Sequence, residues 1–275
     1  MKVFVFGASG YVGSSVYKRL KEIPKVSVSG TYLDEPPLFD DLTRLDINEP
    51  ESFSDFYKAE QPDVIVWSVM SGPQEQQLTE QGLMHLLTHI TPETKLVYIS
   101  SDYVYSAGKG PYSETDPVTT LPDEHKLSNY ANGKVKAERF IANELTNYVI
   151  VRVGPVFGEN QIGKMDERTD RLSYHLRAGK AIHFRDDLFR TFCHVEDLAE
   201  VIVEMVSNDI VGVFNAGSTE PKSFYEFMGL TAEQLGFDPG FVEKASEEEE
   251  VDQEIPKNTS LHTEKIKELM KQQKT

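Results

Sequence analysis

Residues 2–16, KVFVFGASGYVGSSV, constrain the fold of this chain more than any other stretch. Residues 2–6 read as a buried strand and Gly7-Ala8-Ser9-Gly10-Tyr11-Val12-Gly13 as a turn. Residues 14–21 follow as a helix with Val16, Tyr17 and Leu20 at its apolar or aromatic positions. A spaced glycine triplet carries meaning only between a strand and a helix. Gly7 permits the tight turn, Gly10 lets backbone N–H groups approach a pyrophosphate, and Gly13 lets the helix pack closely on the strand. The helix N-terminus adds partial positive charge for the phosphates. The turn therefore reads as a dinucleotide phosphate cradle, with Ser9, Tyr11 and Val12 contributing alongside the glycines. Its spacing is G-x-x-G-x-x-G rather than G-x-G-x-x-G.

A chain of 275 residues can bury a full core, as one large domain or a large unit with a smaller lobe. Apolar runs such as 64–70 fall far short of the roughly 18 residues a membrane span needs. The first strand is interrupted at once by glycines, which is not a signal-peptide pattern. Cys193 is the single cysteine, so no internal disulfide can form, and the expected compartment is the reducing cytoplasm. A net charge of −17 argues against a nucleic-acid-binding face. Charge is uneven, however: residues 152–190 carry eight Lys/Arg against six Asp/Glu, a candidate seat for an anionic substrate. Residues 232–256 carry nine acids against one lysine and read as a solvated face.

Beyond the first helix, strands are expected over 25–32, 42–47, 63–70, 95–100, 148–153 and 211–215, with helices over 51–60, 73–90 and 129–143. Pro50 is acceptable in the first turn of the 51–60 helix. The alternation implies an α/β fold, a doubly wound parallel sheet with helices on both faces. Asp34, just beyond the second strand, is the candidate for the adenosine ribose, and Asp46 stands at the end of the third. No Lys or Arg occurs between Tyr32 and Thr43, a slight lean to NAD over NADP, although Arg44 lies within reach.

The chemistry concentrates where residues 95–105, KLVYISSDYVY, deliver Ser100, Ser101 and Asp102 at a strand's C-terminal end. Downstream, Tyr130 and Lys134 stand four apart on a helix and share a face. A lysine near the phenol is expected to lower its pKa from ~10 toward neutrality, making Tyr130 a proton donor to a carbonyl being reduced. A serine hydroxyl on the same oxygen stabilises its developing charge. The Tyr-x-x-x-Lys pattern also occurs at Tyr17/Lys21, within the first helix, and at Tyr105/Lys109, in a glycine-broken loop; neither suits catalysis.

The glycine triplet, Ser101 and Tyr130-x-x-x-Lys134 together resemble the extended short-chain dehydrogenase/reductase superfamily. Ile99-Ser100-Ser101-Asp102-Tyr103-Val104-Tyr105, Pro111-Tyr112, Glu114, Arg152–Gly158, Arg190-Thr191-Phe192 with Val195–Ala199, and Pro256–Leu261 resemble the dTDP-4-dehydrorhamnose reductase family within it. The resemblance implies a Rossmann domain over 1–154 to which 191–216 returns, and a smaller C-terminal substrate-binding lobe from 155–190 and 217–275. It implies Tyr130 as proton donor, Lys134 as its partner and ribose ligand, and Ser101 as carbonyl ligand. Asp102, Tyr103, Arg152 and Arg190 would face the substrate, and Ser68 the cofactor. The implied reaction is hydride transfer from NADH or NADPH to C4 of a nucleotide-linked 4-keto-6-deoxy sugar, as in dTDP-rhamnose biosynthesis. The implied setting is the cytoplasm, with a homodimer as the candidate assembly. No metal, nucleic acid or membrane is implied.

The chain also departs from the family. Trp67-Ser68-Val69-Met70 replaces the usual Asn-Ala-Ala-Ala, and a tryptophan there would crowd the cofactor groove. The helix asparagine that often completes the proton relay is missing, and Gln81 is the nearest substitute. The same resemblance extends to the regulatory subunit of methionine adenosyltransferase, a non-catalytic alternative, and a nucleotide-sugar epimerase or dehydratase is another. His85 and His89 have the i, i+4 spacing of a zinc pair, but Leu86 stands where a zinc protease needs glutamate, so they read as surface helix. Adjacent Cys193 and His194 would point to opposite strand faces, leaving His194 at a lobe interface. Arg190 either holds a substrate phosphate or pairs with a buried acid.

Overall fold

The computed structural model describes residues 1–34, 39–49, 57–245 and 255–273. Pro50 and the first six residues of the expected 51–60 helix lie outside the described residues, as do Glu35 and much of the acidic run; residues 57–60 are helical.

Seven strands form one sheet, every pairing parallel, in the order β3-β2-β1-β4-β5-β6 and then a last strand. They are β1 (Lys2–Phe6), β2 (Ser27–Tyr32), β3 (Thr43–Arg44), β4 (Val64–Trp67), β5 (Lys95–Ile99), β6 (Tyr148–Val153) and, last, Gly212–Ala216. Strand alternation divides the core in two. Val3, Val5, Val64, Val66, Val97, Val149 and Val151 face helices α1 (Tyr11–Lys21) and Val195–Ser207. Phe4, Phe6, Ile65, Trp67, Leu96, Tyr98 and Ile150 face the helical segment 72–87 and helix α2 (Ser128–Glu144). Both sheet faces are thus covered, as the valine- and isoleucine-rich strands require.

The expected third strand shrinks to Thr43–Arg44. The Asp46 carboxylate accepts the backbone and side-chain N–H of Asn48, and that turn ends pairing. The expected 73–90 helix becomes a segment of changing pitch: a 3₁₀ turn (Gly72–Gln74), an α turn (Glu75–Gln77), π-helical turns (Leu78–Leu83) and a last α turn (Met84–Leu87). Four helices were not expected: Glu167–Arg177, Val195–Ser207, Phe224–Gln234 and Glu264–Gln273. Two begin with strong caps, Asp166 accepting from the N–H groups of Arg168 and Thr169, and Ser223 forming a reciprocal box with Glu226.

A third apolar cluster joins Leu172, Leu176, Ile182, Phe192, Phe227, Met228 and Val242, with the Phe192 and Phe227 rings stacked. Helix Glu264–Gln273 departs from the expected division of the chain. Ile266 packs into the sheet's valine layer and Lys265 Nζ donates to Val213 O, so the chain's end returns to the sheet.

The turn after β1 is built on close approach. A Cβ on Gly13 would lie 2.0 Å from Gly7 O and 2.6 Å from Ser68 Oγ, whereas one on Gly10 would meet only Gly7 O at 3.1 Å. Gly13→Ala is therefore expected to destabilise the fold by about 3 kcal/mol or more. Gly10→Ala should cost about 1 kcal/mol or less. Urea unfolding of the two variants checks the contrast.

Candidate active site

The glycine cradle lies at the β1–β4 boundary, where the strand order reverses and open α/β sheets bind ligands. Gly7 takes a left-handed φ of +77° and its N–H donates to Thr31 Oγ1. Gly10 is the N-cap of α1 and offers no side-chain cap, so the first-turn N–H groups of Tyr11, Val12 and Gly13 are left for an anion. Ser9 is half-buried in the turn. The Ser68 hydroxyl donates to Phe6 O at 2.6 Å and forms the cradle's floor. The Tyr11 phenol is committed away from the turn, donating to Gly158 O. Asn160 Nδ2, which sequence reading missed, donates to Tyr11 O at 3.0 Å and Ser14 Oγ at 3.2 Å and pins the start of α1.

Past β2, Asp34 is exposed, where a ribose-binding acid belongs. Arg44 Nε donates to Leu33 O at 3.0 Å, so its cation sits beside Asp34. Asp46 is half-buried, and its Oδ1 accepts from Asn48 in the turn that closes β3.

Ser101, Tyr130 and Lys134 converge at the C-terminal edge of β5. Ser101 caps the turn Asp102–Val104, its Oγ accepting from Tyr103 N–H and donating to Asp102 Oδ1 at 3.3 Å. The Tyr103 and Tyr130 rings meet edge to face, centroids 6.0 Å apart. On α2, Tyr130, Lys134 and Glu138 follow one another at four-residue spacing on one face. Lys134 Nζ lies 2.7 Å from Glu75 Oε1, donates to Ile99 O at 3.3 Å and sits 5.0 Å from the centre of the Tyr98 ring. Glu75, the second missed residue, also accepts from Ser71 N–H at 2.8 Å.

This geometry corrects the expectation that Lys134 draws the Tyr130 phenol toward neutrality. Burial pushes Tyr130 well above its ordinary pKa; the Ser101 hydroxyl opposes that, and the Glu75 and Asp102 carboxylates add to it.

Three residues expected to face substrate are anchors instead. Arg152 grips Glu138 through Nε at 3.0 and 3.1 Å and Nη2 at 2.6 Å, and donates from Nη1 to the Tyr105 hydroxyl. Strand alternation places Arg152 beneath α2 rather than beyond the strand end. Asp102 accepts from Thr259 Oγ1 and Ser101 Oγ, lies 3.6 Å from Arg190 Nε, and is pushed up in pKa by burial. Arg190 donates to the carbonyls of Phe189, Pro256 and Lys257, so the buried-acid reading of this residue holds and the phosphate reading fails. Elsewhere in the basic stretch 152–190, Arg168 donates to Val156 O and Arg185 pairs with Asp187, while Lys164, Arg171, Arg177 and Lys180 are exposed. Tyr103 remains half-buried at the site, 5.5 Å from the Arg190 guanidinium.

Trp67 does not crowd the cradle. It is 1% exposed, with its ring against Phe6 and Gly82 in the core on the opposite sheet face. Gln81 is exposed and accepts from Gln77 Nε2, so it completes no relay. His85 and His89 stack edge to face on the 72–87 segment and its end. His194 caps helix Val195–Ser207 through Nδ1, and burial pushes the Cys193 thiol up to about 12. Among the described residues no group of three or more His, Cys, Asp or Glu side chains is arranged to hold a metal, and no helix is long and apolar enough to cross a membrane.

If Arg152 is an anchor, Arg152→Ala leaves Glu138 buried without its cation and should cost about 3–5 kcal/mol, with much of the loss recovered by Arg152→Met/Glu138→Leu. Thermal unfolding decides. Unchanged melting with weakened substrate binding would return Arg152 to the binding site.

Comparison with known proteins agrees with this architecture. The chain is 24% identical to the methionine adenosyltransferase 2 subunit beta of Rattus norvegicus over 288 residues, covering 98% of this chain and 82% of that protein. A hypothetical dTDP-4-dehydrorhamnose reductase from Sulfolobus tokodaii superposes with a TM-score of 0.81 at 21% identity, covering 98% and 94% of the two chains. The dTDP-4-dehydrorhamnose reductase of Bacillus anthracis, in complex with NADP, does so with a TM-score of 0.78 at 18% identity, covering 98% and 92%. The family model that matches spans residues 3–217, most of the chain. The chain belongs to the NAD dependent epimerase/dehydratase family.

Proposed function

We propose that this protein is an NAD(P)H-dependent reductase of a nucleotide-linked 4-keto-6-deoxy sugar. The observation that carries the reading is the convergence of Ser101, Tyr130 and Lys134 on the sheet edge that also holds the glycine cradle. The cradle fits a dinucleotide: its helix N-terminus is uncapped, and Gly10 keeps a Cβ out of the approach. Gly7, Ser9, Gly10, Tyr11, Val12 and Gly13 would hold the pyrophosphate, Asp34 the ribose, and Lys134 the sugar hydroxyls nearest the reacting ring. A nicotinamide dinucleotide, when bound, supplies the hydride.

The chain's own residues supply the rest. Tyr130 starts with its proton and can deliver it to the ketone oxygen as negative charge develops there. Ser101 Oγ–H donates to the same oxygen, and Tyr103 forms one wall for the sugar. The apolar cluster around Phe192 and Phe227, built from residues between 172 and 192 and between 227 and 242, serves as the floor of a small substrate lobe. This reading places the protein in the cytoplasm, with a homodimer as the candidate assembly.

A second reading is that of a regulatory subunit, like the methionine adenosyltransferase relative. The Glu75–Lys134 pair favours it, because a lysine already held by an acid is less available to a ribose. The Trp67 substitution no longer speaks for it, since the ring faces the core.

Consumption of NADH and of NADPH with a dTDP-4-keto-6-deoxyhexose tests the proposal. The wild type should turn over, and Tyr130→Phe should lose about 10²–10⁴-fold in kcat. Asp34→Ala should weaken NADH binding about tenfold. A folded protein that binds dinucleotide but consumes neither cofactor would favour the regulatory reading. One that transforms the sugar without net consumption would be an epimerase or dehydratase.

A further inference from the structure

Three buried acid–base pairs lie along the α2 face that carries Tyr130 and in the turn beside it. Glu75, from the 72–87 segment, faces Lys134 on α2 at 2.7 Å. Glu138, one turn further along α2, is held by Arg152 of β6 at 2.6 Å. Asp102, from the turn after β5, lies 3.6 Å from Arg190 on the short strand Phe189–Arg190. All six side chains are at most 6% exposed. Among the described residues the Tyr98 and Tyr103 phenols and the Ser101 and Thr259 hydroxyls also border this group. Each acid of this set is thus matched by one base.

Arg152 and Arg190 also support the fold, through backbone carbonyls or a phenol. The Glu75 carboxylate, among the described residues, is held by Lys134 and by the Ser71 N–H four residues earlier in its own segment. Without it Lys134 would be a lone buried ammonium against Tyr98 and one helical turn along α2 from Tyr130, and its field would favour phenolate. We propose that Glu75 is a built-in counter-ion for Lys134, a positioning residue that keeps the chamber around Tyr130 neutral and the phenol in its proton-carrying form. Joined to the reductase reading, on which this consequence rests, the pair keeps the site in the protonation state from which reduction begins. That direction needs Tyr130 to begin with its proton, and oxidation needs it to begin without.

The charge assignment can be tested without a sugar. Ultraviolet difference titration of tyrosinate, wild type minus Tyr130→Phe, isolates this phenol; the same subtraction is made in a Glu75→Gln background. The amide that Glu75→Gln introduces keeps an oxygen for Lys134 but removes the charge. The Tyr130 transition should then fall by about one to two pH units, and Glu75→Asp should restore most of the shift. A Tyr130 transition in folded Glu75→Gln that coincides with wild type would overturn the proposal. Should Glu75→Gln not fold, Glu75→Gln/Lys134→Met decides. Removing both charges should leave the transition at its wild-type position, and a displacement of about one unit or more would show that the pair is not neutral at the phenol. The pH profile of turnover is a separate arm: absence of turnover in every variant with the titration moved as expected would remove the reductase reading alone. Turnover with an unmoved titration would remove the role of Glu75 alone.

Discussion

Charge buried at the C-terminal edge of β5 and β6 is the constraint to which the rest of the structure answers. Each ion withdrawn from water costs several kcal/mol unless a partner and further hydrogen bonds replace the lost hydration. Glu138 meets that demand with three contacts from Arg152 and one from the Ser100 hydroxyl. Asp102 meets it by drawing two distant pieces of chain together, Arg190 and Thr259. The turn that presents Ser101 to Tyr130 is fixed by that second arrangement, because Asp102 is the next residue.

The C-terminal stretch gains its place from the same demand. Its backbone pairs on one side with the 108–112 loop, through Gly110 N–H to Asn258 O and Tyr112 N–H to Ser260 O. On the other side Phe189 N–H donates to Lys257 O, and Thr191 Oγ1 donates to Leu261 O. A segment about 160 residues from Ser101 along the chain thus closes over the Ser101 turn. Residues 264–273 then return to the sheet as a helix, which couples the far end of the chain to the valine layer that supports α1.

Much of this was legible in the sequence. The glycine turn, the Val/Ile-rich strands and the helix carrying Tyr130 and Lys134 each have a local physical signature, and each stands within a few residues of its expected place. What was not legible depends on distant pairing or on parity. Trp67 belongs to the core because residues 65 and 67 share a face with Phe4 and Phe6, an alternation that could have been counted. Glu138 could likewise have been found four residues beyond Lys134 on the face already in use. Glu75 had no local signal, since it is one acid in a polar segment whose pitch changes from 3₁₀ to α to π. Arg152 and Arg190 invited a substrate role because guanidinium suits phosphate and buried carboxylate equally, and only the fold reveals which is present.

The central claim is that the Ser101–Tyr130–Lys134 edge carries out net reduction of a sugar ketone. Nicotinamide cofactor deuterated at C4, with a dTDP-4-keto-6-deoxyhexose and mass analysis of the product, tests it most directly. The account predicts one deuterium on the sugar at C4, acquired with wild type and lost with Tyr130→Phe. A product sugar that carries no label, formed at the same rate by both proteins, would contradict it.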